Sequence, residues 1–317
     1  MNVHRQRRGA AQATSPEPGP SLASLSAGID GLSGAMSQIA PSLHTHIDDL
    51  RSGMDQIAPS LHQHLEDVRA ELAYRLGAGS GGFRASLDSR EQAVVAAVQG
   101  FTMLSPARII GFRDAVLYVE RRGIPGAIVE CGVWRGGAMM AAALTALEAG
   151  PGSRDLYLFD TFEGMPPPAD VDRDPAGVRA EDLLAHADRE TSWLWAYASL
   201  DDVRANMGTT GYPPHRLHYV KGRVEDTVPR EAPGEIAVLR LDTDWYESTK
   251  HELLHLMPRL VPNGVLIIDD FGDWAGSRKA VEEFLSTTDR PILFGRTDHT
   301  GRMAVVPAAA PVDGGRR

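Results

Sequence analysis

Two short strings carry the residues best suited to chemistry. Leu239-Arg-Leu-Asp-Thr-Asp-Trp-Tyr246 places acids at alternate positions, Asp242 and Asp244, and Val265-Leu-Ile-Ile-Asp-Asp-Phe-Gly272 places an adjacent pair, Asp269 and Asp270. Each pair ends an apolar run of strand length, so neighbouring strands would bring several carboxylates into one crevice. Like charges that close raise one another's pKa and need a compensating cation. An all-oxygen donor set suits a hard ion, Mg²⁺ with Mn²⁺ as the alternative. Acids that only cap the following helices explain either pair easily and both together poorly.

Two further strings end in polar turns. Val129-Glu-Cys-Gly-Val-Trp-Arg-Gly-Gly137 is a strand entering a glycine-rich turn, whose glycines permit close backbone approach to a ligand while Glu130 sets a carboxylate beside it. Trp134 and Arg135 interrupt the glycine spacing that a dinucleotide pyrophosphate requires, so the turn suits a cofactor without phosphates better. Leu158-Phe-Asp-Thr-Phe-Glu-Gly164 leaves Asp160 at a strand end, where an acid can accept hydrogen bonds from a ribose diol or merely cap the turn that follows. Cys131 sits inside its strand with no basic neighbour in sequence and is read as a buried structural thiol.

These residues need a frame that gathers strand ends. Strands are expected over residues 127–131, 156–160, 217–221, 236–241 and 265–269, with helices over 137–148, 199–207, 247–260 and 278–285. Such alternation gives an α/β doubly wound, mostly parallel sheet with helices on both faces, its ligand site at the carboxyl ends of the strands. Between the second and third strands runs a long acid-rich segment, from Met165 through Asp170, Asp172 and Asp174 to Trp193, Trp195 and Tyr197. A segment so placed can form a lid, its tryptophans either stacking on an acceptor or packing on the domain.

The chain before this region is of another kind. Residues 1–27 have almost no large apolar side chains and are expected to be disordered, as is the tail 308–317. Residues 28–76 contain a repeat in which Ser37-Gln-Ile-Ala-Pro-Ser-Leu-His returns as Asp55-Gln-Ile-Ala-Pro-Ser-Leu-His, an offset of 18 residues. That offset is five turns of helix, so equivalent positions share a face. The resulting narrow apolar stripe, from Ile29 to Leu72, predicts a helical extension that self-associates, kinked or divided near Pro41 and Pro59. The pairs His44/His46 and His62/His64 point apart at i, i+2 on a helix and are read as solvated rather than metal-binding. Residues 77–82, glycine-rich, read as a linker to a domain over 83–307.

With 42 acidic against 32 basic residues the net charge is -10, which disfavours nucleic acid and anionic membrane as partners. The apolar stretches 141–147 and 264–268 are far too short to cross a bilayer, and no apolar run follows the basic N-terminus, so a cytoplasmic address is expected. One cysteine excludes an internal disulfide.

The strings Glu130-Cys-Gly-Val-Trp-Arg-Gly-Gly137, Asp160-Thr-Phe-Glu-Gly-Met-Pro166, Leu241-Asp-Thr-Asp-Trp-Tyr-Glu-Ser-Thr249 and Ile267-Ile-Asp-Asp-Phe-Gly272, in this order, resemble the macrocin O-methyltransferase family, which includes sugar O-methyltransferases of antibiotic biosynthesis. The resemblance implies a class I methyltransferase fold, Rossmann-like, ending in an antiparallel hairpin, and a methyl donor, S-adenosylmethionine, used with Mg²⁺. It implies Asp242, Asp269 and Asp270 as metal ligands, Asp244 as general base, and Glu130, Gly132, Val133, Gly136, Asp160 and Thr161 at the cofactor, with Lys221 and Gly222 near the adenosine. The acceptor it implies is a hydroxyl of a glycosylated small molecule. Two other classes remain to be weighed: a nicotinamide-dependent oxidoreductase, opposed by the glycine spacing and the paired acids, and a helical scaffold with a catalytically silent α/β domain. A silent domain would have no physical reason to keep mutually repelling carboxylates.

Overall fold

The computed structural model describes residues 86–288 and 292–308, with Gly31 and Gly34 as isolated positions. The expected disordered ends, helical repeat, histidine pairs and linker lie outside the described residues, apart from those two glycines, both helical and exposed. In chain order the elements are α1 (Ser89–Val98), α2 (Pro106–Arg121), β1 (Ala127–Cys131), α3 (Gly137–Ala149), β2 (Leu156–Asp160), α4 (Ala180–Ala185), α5 (Leu200–Gly208), β3 (Leu217–Lys221), α6 (Val224–Thr227), β4 (Ile236–Leu241), α7 (Tyr246–Leu256), β5 (Leu260–Ile268), α8 (Ala275–Thr287), β6 (Gly295–Arg296) and β7 (Arg302–Val305).

The strands form one sheet in the order β3-β2-β1-β4-β5-β7-β6. Strands β1 to β5 are parallel, β7 runs antiparallel to β5, and β6 pairs antiparallel with β7. This is the class I methyltransferase architecture expected from the strings above. The order reverses direction between β1 and β4, and a crevice opens there at the carboxyl ends of the strands.

Alternation along the strands divides the core into two layers. Ile128, Leu156, Leu158, Val238 and Ile267 face α1, α2, α3 and α5, while Val129, Phe159, Leu239, Leu266 and Ile268 face α7 and α8. Leu239 is completely buried, and truncating such a leucine to alanine costs about 2–5 kcal/mol. Cys131 is buried on the second face, as expected, and burial foremost raises its thiol well above the ordinary range.

Four strands have the expected bounds, and the differences have local causes. The helix expected over 247–260 ends at Leu256 because Pro258, in a short 3₁₀ turn over Met257–Arg259, cannot donate the helical hydrogen bond. The released chain enters β5 early, at Leu260. Helices α1 and α2 were not anticipated. Asp88 caps α1 in a reciprocal box with Glu91, and Ser105 caps α2 ahead of Pro106 at its first position.

Candidate active site

Strand register decides which side chains meet. Glu130 lies beside Leu158 on one flank and Arg240 on the other, and Arg240 lies beside Ile267. Side chains two residues apart share a face, so Asp160, Glu130, Arg240, Asp242 and Asp269 all project from the same face at the carboxyl end of the sheet. They line a cleft of about 480 Å³, a size suited to a cofactor and the reacting end of an acceptor.

Asp242, Asp269 and Asp270 each offer a carboxylate oxygen within 4.8 Å of the others, the one such acidic cluster among the described residues. Their counter-charges are uneven. The Asp269 oxygens are divided between Arg108 Nη1 at 2.5 Å and Arg240 Nη2 at 2.6 Å, and Arg240 Nη1 also reaches Asp242 at 2.7 Å. Burial would raise Asp269, but the two guanidiniums outweigh it and hold the carboxyl below the usual range. The Asp270 carboxylate accepts the Asp244 backbone amide, at 3.1 Å, lies within hydrogen-bond reach of the Asp244 side chain, and has no cationic partner among the described residues. Burial first, then the charges of Asp244, Asp242 and Asp269, push it well above the usual range. A buried acid left without a cation beside two others is a donor set with room for a hard divalent ion.

Asp244 stands at the mouth of this cluster. Its backbone is left-handed, φ 63°, which an aspartate adopts at a cost, and the residue lines the cleft. Burial, together with Asp273 and Asp269, raises its carboxyl to about 7 against hydrogen bonds with Asp270 and Trp274. Behind the loop, Thr243 donates to the buried Glu252 at 3.0 Å, a second tie on the Asp242–Asp244 turn.

At the other end of the cleft, Glu130 Oε1 accepts from Arg240, while its buried Oε2 has no partner. A buried carboxylate oxygen beside the cleft and without a donor is a place where a ligand's cationic or N–H group could bind. Asp160 accepts Val133 N at 2.8 Å and Trp134 N at 3.1 Å on one oxygen and Phe162 N at 2.7 Å on the other. These bonds describe the capping role weighed against ribose binding: Asp160 fixes the glycine-rich turn from the neighbouring strand. Gly132, Val133, Thr161 and Gly222 line the cleft beside it.

Two expected cofactor residues do not reach the cleft. Gly136 is the left-handed N-cap of α3, φ 85°, and a Cβ there would stand 3.2 Å from Val203. Lys221 ends β3 half exposed and pairs with Glu163 at 2.7 Å. The glycine spacing also has an internal cause. A Cβ on Gly132 would meet the Asp242 carbonyl oxygen at 1.9 Å, and one on Gly137 the Phe101 carbonyl at 2.5 Å. Those glycines let the protein's own backbone segments touch.

The acid-rich segment folds over the cleft and answers the question its tryptophans posed. Asp172, completely buried, accepts Ala169 N at 2.7 Å and Tyr246 N at 2.8 Å, so it caps α7 from a distance. The Arg173 carbonyl receives Ala275 N at the start of α8, and Trp245 Nε1 donates to the Pro166 carbonyl. Trp195 packs with Trp245 and Trp274 and donates to the Ala187 carbonyl. Trp193 instead stands 58% exposed on the cleft lining. Arg108, Arg240, Asp273 and His299 also line the cleft and were not singled out from the sequence. Arg240 had a visible signal, a charge inside an otherwise apolar central strand; Arg108 had none, being one arginine on an amphipathic helix.

The family model described as Macrocin-O-methyltransferase (TylF) matches residues 53–301. The chain belongs to this family. It is accordingly an O-methyltransferase that takes its methyl group from S-adenosylmethionine. It is 34% identical over 216 residues, 65% of this chain and 79% of the relative, to the 8-demethyl-8-(2,3-dimethoxy-alpha-L-rhamnosyl)-tetracenomycin-C 4'-O-methyltransferase of Streptomyces olivaceus. It is 34% identical over 183 residues, 58% of this chain and 69% of the relative, to the mycinamicin III 3''-O-methyltransferase of Micromonospora griseorubida. Among solved structures, the O-methyltransferase NovP aligns with 66% of this chain and 83% of its own at 28% identity and a TM-score of 0.56.

Proposed function

We propose that the protein methylates a sugar hydroxyl of a glycosylated small molecule and does so with a divalent ion, Mg²⁺ or Mn²⁺, at Asp242, Asp269 and Asp270. The observation that carries this reading is the convergence of those three acids beside Asp244, in the same cleft as the unpartnered Glu130 oxygen. The named acceptors of the relatives are glycosylated natural products, which supports a sugar hydroxyl here. The ion supplies positive charge and Lewis acidity at the acceptor hydroxyl, a weak nucleophile at neutral pH.

The chain's own groups do the rest. Asp244, on the cleft lining beside the three acids, takes the hydroxyl proton as the acceptor oxygen takes the methyl carbon and the sulfonium becomes a thioether. Glu130 holds the α-ammonium of the methyl donor, and Asp160 keeps the glycine-rich turn shaped around it. Segment 165–198 excludes water and aligns the acceptor, a positional effect that can be worth several kcal/mol of barrier. The N-terminal repeat is the self-association segment in this reading. Removing residues 1–82 lowers the oligomeric state in sedimentation while S-adenosylhomocysteine affinity is kept.

The decisive experiment is isothermal titration of metal-free protein with S-adenosylhomocysteine, then with Mg²⁺ in its presence, followed by a screen of glycosylated acceptors. Binding of both and methylation of a sugar hydroxyl are expected. Cofactor binding with no Mg²⁺ binding would remove the metal site and leave the methyl transfer standing.

A further inference from the structure

Arg240 is the largest completely buried side chain of the domain, its side chain 1% exposed, in the middle of β4. A guanidinium there must be held by acids, because an unpaired buried charge is expensive. It is held by three. Nη1 is shared between Glu130 and Asp242, and Nη2 takes Asp269. Two of these acids belong to the ion and the third to the cofactor, so one planar group touches both ends of the reaction.

The geometry allows more than charge compensation. Guanidinium donors sit in a rigid fork, whereas an ammonium is a point charge on a flexible stem. Asp242 and Asp269 bind different nitrogens of that fork, so the distance between their carboxylates is set by a covalent frame. Each guanidinium bond uses one lone pair of its oxygen and leaves others for an ion. Glu130, its register partner on β1, fixes the frame in turn. Mg²⁺ tolerates little departure from octahedral geometry, while Ca²⁺ accepts loose and variable oxygen sets. The ligand spacing is therefore where ion choice is made.

We propose that Arg240 is a positioning residue that spaces Asp242 and Asp269 for a small divalent ion, and that its bond to Glu130 makes this spacing depend on a residue of the cofactor site. The inference rests on the metal reading above, and its test separates the two. In Arg240→Lys the charge remains and the fork is lost. By calorimetry, Mg²⁺ affinity falls at least tenfold, Ca²⁺ affinity changes less than threefold, and S-adenosylhomocysteine still binds. A merely electrostatic or structural arginine would leave the Mg²⁺ to Ca²⁺ ratio unchanged, and that result overturns the proposal.

If Arg240→Lys does not fold, Glu130→Gln provides the second test. It removes the charge that anchors the fork from the cofactor side, leaving more of Arg240's charge on the two ligands. Mg²⁺ affinity then falls at least threefold although residue 130 touches no ion, and an unchanged affinity rejects the proposal. Absence of Mg²⁺ binding in the parent protein, with the homocysteine product still bound, removes the metal reading itself and this inference with it.

Discussion

The two ends of the sheet use the same residue types to opposite effect. At the amino ends, two acids are paired: Glu120 with Arg154 at 2.7 Å, and Asp155 with Arg216 at 3.0 Å and His218 at 2.9 Å. Burial works against Asp155, yet those partners hold its carboxyl below the usual range. At the carboxyl ends, Glu130, Asp242, Asp244, Asp269, Asp270 and Asp273 meet two guanidiniums, Arg108 and Arg240. There Glu130, Asp242, Asp244, Asp270 and Asp273 are all raised, burial being the largest cause each time. Balanced pairs stabilise a fold; an unbalanced set stores a demand for a ligand.

The largest effects come from the unbalanced end. Asp244→Asn keeps the shape of the side chain and removes the proton acceptor, so kcat falls about 10²–10⁴-fold while Mg²⁺ and S-adenosylhomocysteine titrations stay near parent values. Equal turnover in that variant would take Asp244 out of the mechanism. Asp270→Asn breaks the comparison directly, because Asp270 is the proposed ligand that has no cationic partner among the described residues. Removing its charge relieves repulsion among the acids, so the metal-free variant melts higher than the parent by a few degrees. The further rise in melting temperature that Mg²⁺ gives the parent is lost. A metal-free variant that melts lower would mean Asp270 is structurally paired after all.

A smaller effect is expected at the cleft wall. Trp193→Ala removes an exposed aromatic surface, raising the acceptor KM about tenfold, the order of one lost stacking contact, with cofactor affinity and melting temperature unchanged. Steady-state kinetics with a glycosylated acceptor checks it. The same change at Trp195, which packs with Trp245 and Trp274, should instead lower stability.

Much of the frame could be read from the sequence because parallel strands buried on both faces are written as apolar runs, and their polar ends stand out against them. Asp242, Asp269 and Asp270 were visible in this way. Residues that act across the fold were not. Arg108 reaches Asp269 from α2, 161 positions away in the chain, and no local pattern distinguishes it from a solvated arginine. Gly136 and Lys221, expected at the cofactor, stand off the cleft lining for a related reason. A glycine needed for a left-handed cap looks the same in sequence as one needed for a ligand, and a strand-end lysine that pairs with Glu163 looks the same as one that faces a nucleoside.

The two ends should also titrate with opposite sign. Burial lifts Glu130 to about 7 despite Arg240. A folded value above the unfolded one, near 4.5, means stability that is complete below that pH and is lost as pH rises through about 7. The ligand-free protein should therefore melt several degrees lower at pH 8 than at pH 6, and Glu130→Gln should flatten that slope; a parent with no such slope would show that Arg240 keeps Glu130 ionised throughout.

Asp155 runs the other way. Its folded value lies below the ordinary 3.8 of an unfolded aspartate, so its contribution is present above that pH and lost as pH falls through the folded value. Asp155→Asn should leave kinetics and the alkaline slope untouched and remove part of the acid sensitivity below pH ~4. Because Asp155, Arg216 and His218 are each more than a third exposed, solvent screens the pairs and the stability lost at neutral pH should be under about 1 kcal/mol. A loss several times larger in urea unfolding would mean that the amino end of the sheet depends on its ion pairs as strongly as the carboxyl end depends on its ligands, and the contrast between the two ends would be one of sign alone.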